Sequence, residues 1–223
     1  MRCVVISLGG SVIVPDKVDS KFLDGFKKVI EKFSKKNKVV IVTGGGHTAR
    51  DYISALRKEN LNETIYSWVG IATTKLNARL VASYFNKIKK IPDSLKEVKR
   101  GLKKSNIVIC GALGFQPGMT SDGDAAQIAE YLKADKFINI TNVRGLYNKD
   151  PRLKSAKFIP KISFNDFWNI AKNINFKAGQ HFVLDKFAAK VIKDANIKTI
   201  ILTGLNNLQN CLYDKKFYGT IIE

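Results

Sequence analysis

The run Val39-Val40-Ile41-Val42-Thr43 passes without a polar break into Gly44-Gly45-Gly46. A short stretch this apolar is the pattern of a parallel strand covered on both faces, so the chain needs helices above and below it. Comparable runs stand at 2–8, 107–110, 136–141 and 199–203, and a terminal strand is expected at 218–222. Between them the apolar residues change to helical spacing. Phe22, Leu23, Phe26, Val29, Ile30 and Phe33 mark a helix over 20–35. Further helices are expected over 49–59, over 73–86 after a polar connection, over 93–104, over 124–132, from Ser163 onward, and over 185–196. Lys87–Ile91 reads as a short strand ended by Pro92. Strand and helix alternate throughout, which predicts an α/β fold: a three-layer αβα sandwich with a mostly parallel central sheet. A chain of 223 residues holds one such domain, and no repeat, low-complexity segment or linker divides it.

Composition narrows the class. Hydrophobic residues make up 45% and charged residues 26%, an ordinary globular balance. No apolar run is long enough to cross a bilayer, and residues 1–6 run straight into a strand rather than a secretory leader. A cytoplasmic protein is expected. Cys3, Cys110 and Cys211 are far apart and odd in number, as reduced structural thiols would be. With His47 and His181 the only histidines, a histidine-rich metal site is excluded. The balance of 38 basic against 19 acidic residues gives +19. Its lysine pairs are scattered over helices and turns rather than gathered in a tail or an aromatic stripe. That distribution reads as a solvated surface, not a nucleic-acid groove, although it favours encounter with anionic nucleotides.

Ligands of open α/β sheets collect at the carboxyl ends of the strands. Four such ends here carry glycine or polar residues. Ser7-Leu8-Gly9-Gly10-Ser11 is a tight turn or a backbone phosphate cradle. The segment 42–50, V-T-G-G-G-H-T-A-R, sets three glycines before a helix and makes an anion site, with Arg50 placed to add its donors to a transferring phosphoryl group. It is not a Walker A loop, since no GxxxxGK followed by Ser or Thr occurs. Its letters satisfy G-x-G-x-x-A, but two helices follow where a dinucleotide fold needs a second strand ending in an acid. His47 reads as incidental. The third segment, 110–124, offers hydroxyls at Thr120 and Ser121 for an anionic substrate. There Asp122 is placed to orient a basic group or magnesium, and Asp124 reads as a helix N-cap. The fourth, 140–151, brings Tyr147 for a nucleobase and Asp150 for sugar or base donors, unless it is simply a well-made surface loop.

Taken in order, these blocks resemble the amino acid kinase family, and within it the archaeal type of UMP kinase. The resemblance rests on S-L-G-G-S-V at 7–12, V-T-G-G-G-x-x-A-R at 42–50 and G-I-A-T-T-K-L-N-A at 70–78. It continues through Q-P-G-M-T-S-D at 116–122 and L-K-A-D-x-F-I-N-I-T-N-V-x-G-L-Y-x-x-D-P at 132–151, and closes with K-A-G at 177–179 and L-D-x-x-A-A-K at 184–190. The resemblance implies transfer of a phosphoryl group from ATP to UMP with Mg2+. The acceptor half would lie in roughly 1–130 and the ATP half in roughly 131–223. Gly9, Gly10, Gly46 and Arg50 would hold the ATP phosphates and the transferring group, with Thr141, Asn142, Tyr147 and Asp150 on the adenosine side. Gly45, Ser67 and the stretch Gly114, Phe115, Gln116, Pro117, Gly118, Met119, Thr120 and Ser121 would hold UMP. Arg50 and Asp122 would be the catalytic pair, with no metal cage built by the protein. It implies a homo-oligomer, commonly a hexamer, and no nucleic-acid or membrane partner.

The departures fall mostly on the acceptor side. Ser67 stands where UMP kinases typically carry an aspartate that grips the ribose hydroxyls. The acceptor loop is about two residues longer, with Leu113 and Gly114 where a threonine is common. Ser7 replaces the phosphate-binding lysine of many relatives, and Arg144 takes a position that is usually aspartate. Another kinase of the family, acting for example on isopentenyl phosphate through an acceptor-pocket histidine, and a non-catalytic nucleotide-binding homologue are the competing readings.

Overall fold

The computed structural model describes residues 1–59, 61–87, 90–116, 119–173 and 184–223, and the element counts below refer to these. The chain begins with β1 (Cys3–Leu8), the short helix α1 (Gly10–Ile13), α2 (Ser20–Ser34), β2 (Lys38–Thr43), α3 (Gly46–Arg57) and α4 (Glu63–Tyr84). It continues with α5 (Leu95–Lys104), β3 (Ile107–Cys110), α6 (Ser121–Leu132), β4 (Lys136–Ile140), β5 (Leu146–Tyr147), β6 (Phe158–Ile159) and β7 (Lys161–Ile162). It ends with α7 (Phe164–Ala171), α8 (Lys186–Asp194), β8 (Thr199–Leu202), α9 (Leu205–Leu212) and β9 (Gly219–Ile222). Seven strands form the central sheet in the order β3-β2-β1-β4-β8-β9-β7. The pairings from β3 across to β8 are parallel, and β9 runs antiparallel to β8.

Alternation along each strand sends successive side chains to opposite layers. Val4, Ile6 and Leu8 join α2, α4 and α9 on one face, through Phe26, Phe33, Val81 and Leu208. Val5, Val40 and Val42 join α5, α6, α7 and α8 on the other, through Val98, Ile128, Phe167 and Ile192. The expected three layers are therefore present. Cys211 lies buried in the first layer and Cys110 in the second, both unpaired as thiols. Among the described residues no helix is long and apolar enough to cross a membrane.

The structure departs from the sequence reading where local signals were faint. α4 begins at Glu63 rather than near Thr73, because Asn62 caps it by accepting the Thr64 N–H at 2.9 Å. α6 begins at Ser121 with Thr120 as its cap, which moves Asp124 from the expected cap into the buried first turn. The 146–159 region closes a small antiparallel hairpin, Leu146 opposite Ile159 and Tyr147 opposite Phe158. α1, α9 and β7 are additions. The proposed strand at Lys87–Ile91 includes 88–89, which lie outside the described residues.

The first layer hangs on Phe26. It is fully buried, with Phe22 stacked at 6.0 Å and Phe85 edge-on at 6.3 Å between centroids. Phe26→Ala is expected to lower the unfolding free energy by about 3–5 kcal/mol, seen as a reduced denaturant midpoint with an unchanged slope.

Candidate active site

Parallel pairing brings the carboxyl ends of β3, β2, β1 and β4 to one edge of the sheet. The four loops singled out in the sequence leave from that edge. They line a crevice of about 750 Å³ together with the inward face of α4. It sits where the chain steps from β1 outward to β2 on one side and β4 lies on the other, the place where such sheets bind ligands.

The first two loops meet backbone to backbone. Gly9 N–H donates to Ile140 O at 2.9 Å, and Gly44 N–H donates to Leu8 O at 2.9 Å. A methyl on Gly10 would stand 1.9 Å from the Gly46 nitrogen, and Gly46 itself has φ of +68°. Side chains are thus excluded by contact at one position and by conformation at the other. The arrangement starts α3 at Gly46 with its N-terminus toward the crevice and Arg50 one turn along, exposed on the lining. Asn77 of α4 holds the loop from behind, donating to Gly44 O at 2.7 Å and Gly45 O at 3.1 Å. His47 is turned away from the crevice toward the carboxylates of Asp16 and Asp51, at 3.5 and 3.2 Å.

The third loop is fixed by two buried carboxylates, Asp185, whose role sequence reading missed, and Asp124, which it read as a helix N-cap. Asp185, capping α8 through the Ala188 N–H at 2.7 Å, also accepts from Thr120 N–H at 3.0 Å, Thr120 Oγ at 2.6 Å and Gly123 N–H at 3.1 Å. Asp124 accepts the Leu113 N–H at 3.1 Å, which anchors the lengthened part of the acceptor loop. Gly114, Phe115, Gln116, Met119, Thr120 and Ser121 all line the crevice, while Pro117 and Gly118 lie outside the described residues, as do the K-A-G block and His181.

At the crevice floor Asp122 meets the strands. Ser7 and Asn139 are paired across β1 and β4 in register, so both side chains point to the same layer. Ser7 Oγ donates to Asp122 Oδ1 at 2.6 Å, and Asn139 Nδ2 donates to the same oxygen at 3.1 Å. Ser7, at the position where many relatives carry lysine, is therefore a fully buried partner of Asp122. Burial pushes the Asp122 carboxyl up to about 7 against the pull of the Ser7 hydrogen bond, and nearby Asp185 adds to the rise. Burial raises Asp124 to about 7 as well.

The fourth loop divides. Thr141 and Asn142 line the crevice, whereas Tyr147 and Asp150 stand outside its lining. Tyr147 packs on Phe158 at 5.5 Å, and the Asp150 carboxylate takes the Arg152 guanidinium at 2.6 Å. Arg144 holds its guanidinium over Phe158 at 4.6 Å and Tyr218 at 5.1 Å. On the opposite wall Ser67 lines the crevice with its hydroxyl donating to Glu63 O at 3.1 Å. Glu63, Tyr66, Gly70, Ile71 and Thr74 of α4 line the same wall, a face missed because α4 was expected to begin beyond most of them.

The sequence profile described as the amino acid kinase family matches residues 2–203. The chain belongs to the amino acid kinase family. It is 40% identical to a protein named uridylate kinase from Archaeoglobus fulgidus over 90% of each chain, and 36% identical to a uridylate kinase from Methanococcus aeolicus over 98% of each. The crystal structure of uridylate kinase from Archaeoglobus fulgidus superposes with a TM-score of 0.86 over the full length of both chains at 37% identity. A UMP kinase structure from Ureaplasma parvum shares the fold at a TM-score of 0.80 and 22% identity.

In this member of the amino acid kinase family the crevice floor is a carboxyl raised toward neutrality, and the fold carries the consequence. The Asp122 value lies above the usual unfolded value of about 3.9. Its contribution to stability is complete below that unfolded value and is lost as pH rises through about 7. Asp122→Asn keeps acceptors and donors for Ser7 without the ionisation. Its melting temperature relative to the native chain should therefore improve between pH 5 and pH 8 in the absence of nucleotide. A gap that stays constant with pH would show that Asp122 ionises freely in the fold.

Proposed function

We propose that this chain is a uridylate kinase, transferring the γ-phosphoryl group of ATP to UMP to give UDP and ADP. The observation that carries the reading is the crevice itself. Two glycine loops locked backbone to backbone, the N-terminus of α3 and Arg50 face a third loop and α4 across one cavity, in a chain whose full-length relatives are named uridylate kinase.

Such transfer asks a protein for positioning and charge stabilisation rather than a covalent nucleophile. A UMP phosphate oxygen attacks the γ-phosphorus while the bond to the bridging oxygen breaks and ADP leaves. In this reading Gly10 and Gly46 present N–H groups to the ATP phosphates, Gly9, whose own N–H is held by Ile140 O, lets the backbone approach them closely, and Arg50 adds a guanidinium fork to the moving group. Asp122 organises the transfer site from the floor. The acceptor is held by the part of the chain within roughly 1–130, through Gly45, Ser67 and the stretch from Gly114 to Ser121, Pro117 and Gly118 included. ATP is held by roughly 131–223, its adenosine end passing Thr141 and Asn142 toward Tyr147 and Asp150.

Mg2+ is assigned to the nucleotide, as an ion that would arrive on the phosphates and meet a single carboxylate, here Asp122. When bound, it neutralises charge on the phosphate oxygens. A cytoplasmic setting belongs to the same reading. So does assembly into a homo-oligomer, a hexamer by resemblance. Exposed Ile65, Trp68 and Leu76 on α4 support that assembly. The isopentenyl phosphate alternative relies on an acceptor-pocket histidine, and among the described residues none lines the crevice.

The test follows ADP release from ATP with UMP, CMP, dUMP and isopentenyl phosphate as acceptors. UMP should give the highest kcat/KM, and turnover of another acceptor without UMP would overturn the assignment. Restoring the usual carboxylate by Ser67→Asp should lower the KM for UMP and widen the preference for UMP over dUMP. Unchanged discrimination would place Ser67 outside the ribose site.

A further inference from the structure

Among the described residues three carboxylates line the crevice: Asp122, Asp124 and Glu63. Two are already engaged, Asp122 by Ser7 and Asn139 and Asp124 by the Leu113 N–H. Among the described residues the Glu63 carboxylate takes part in no hydrogen bond or ion pair with the protein. It occupies the first turn of α4, capped by Asn62, so its backbone is fixed while its side chain stays exposed. Arg57, which also lines the crevice, holds its guanidinium over the Tyr66 ring at 6.0 Å.

Glu63 also bears on Ser67, one of the acceptor-side departures the chain carries. Ser67 lies four residues after it, on the same face of α4 and about 6 Å further along the helix axis. Both residues line the crevice, and the Ser67 hydroxyl donates to the Glu63 carbonyl. From Glu63 the lining runs through Ser67, Gly70 and Thr74, and Asn77 one turn later binds the glycine loop. The anion-binding glycines and the uncommitted carboxylate are thus at opposite ends of the α4 wall. A carboxylate at that end disfavours the acceptor's phosphate and directs it toward the glycine end, where Arg50 also lies. Its two oxygens match two hydroxyl donors on adjacent carbons.

We infer that Glu63 is the specificity-determining residue for the ribose of the acceptor, gripping the vicinal hydroxyls with a carboxylate set one helical turn before the position where relatives place theirs. This rests on the uridylate kinase reading and names the part of the acceptor that Glu63 recognises. Loss of a hydrogen bond to a charged group at an exposed wall corresponds to roughly tenfold in discrimination.

The experiment measures kcat/KM for UMP and dUMP in the native chain, Glu63→Gln, Ser67→Asp and the double variant, with melting temperatures alongside. Glu63→Gln should lower kcat/KM for UMP about tenfold, chiefly through KM, while changing dUMP less than twofold. The UMP to dUMP ratio then collapses, and adding Ser67→Asp to Glu63→Gln should restore it. Equal losses on both substrates, or an unchanged ratio with UMP still turned over, would overturn the assignment. If the native chain turns over neither substrate, the uridylate kinase reading falls first and the role of Glu63 with it.

Discussion

The contact on which the site depends is the close approach of two loops with no side chains between them. Gly10 lies so near Gly46 that a single methyl would overlap its nitrogen. That approach joins the carboxyl ends of β1 and β2 and sets the first turn of α3 at Gly46. Asn77 closes the back of the loop from α4. The anion binding proposed for the crevice begins at this point, because the positive end of α3 and Arg50 are aimed by it.

The layered fold was legible because buried strands leave a strong imprint. Val39–Val42 is apolar at every position, and helix α2 repeats its large residues at a spacing no strand would give. Elements with weaker contrast escaped. The first half of α4 mixes β-branched, aromatic and small residues with Ser67 and Gly70, so it shows little periodicity, and only the Asn62 cap announces it. α9, Leu205–Leu212, is built from leucine, asparagine, glutamine and one cysteine without charge, and gives no clear sequence signal, although Leu208, Cys211 and Leu212 are buried together.

The site was legible to the extent that glycine was. Gly9, Gly10 and Gly44 to Gly46 declare themselves by composition at strand ends, and Arg50 by its place in the following turn. What composition does not encode is register. Ser7 looked like a missing lysine, yet pairing of Ser7 with Asn139 across β1 and β4 makes both of them donors to Asp122. That is a relation between residues 132 positions apart, fixed only once the two strands are aligned. Asp185 was similarly opaque: its letter fits any helix cap, and its reach to Thr120 and Gly123 depends on how α8 packs against α6.

That reach has a mechanical meaning. The start of α6 is bolted to the start of α8 by three hydrogen bonds to one buried carboxylate, and Thr120 Oγ accepts in turn from the Asp122 N–H at 3.2 Å. Prising the crevice apart along that seam would strand an ionisable group away from water with its partners gone. The seam is a latch, not a hinge.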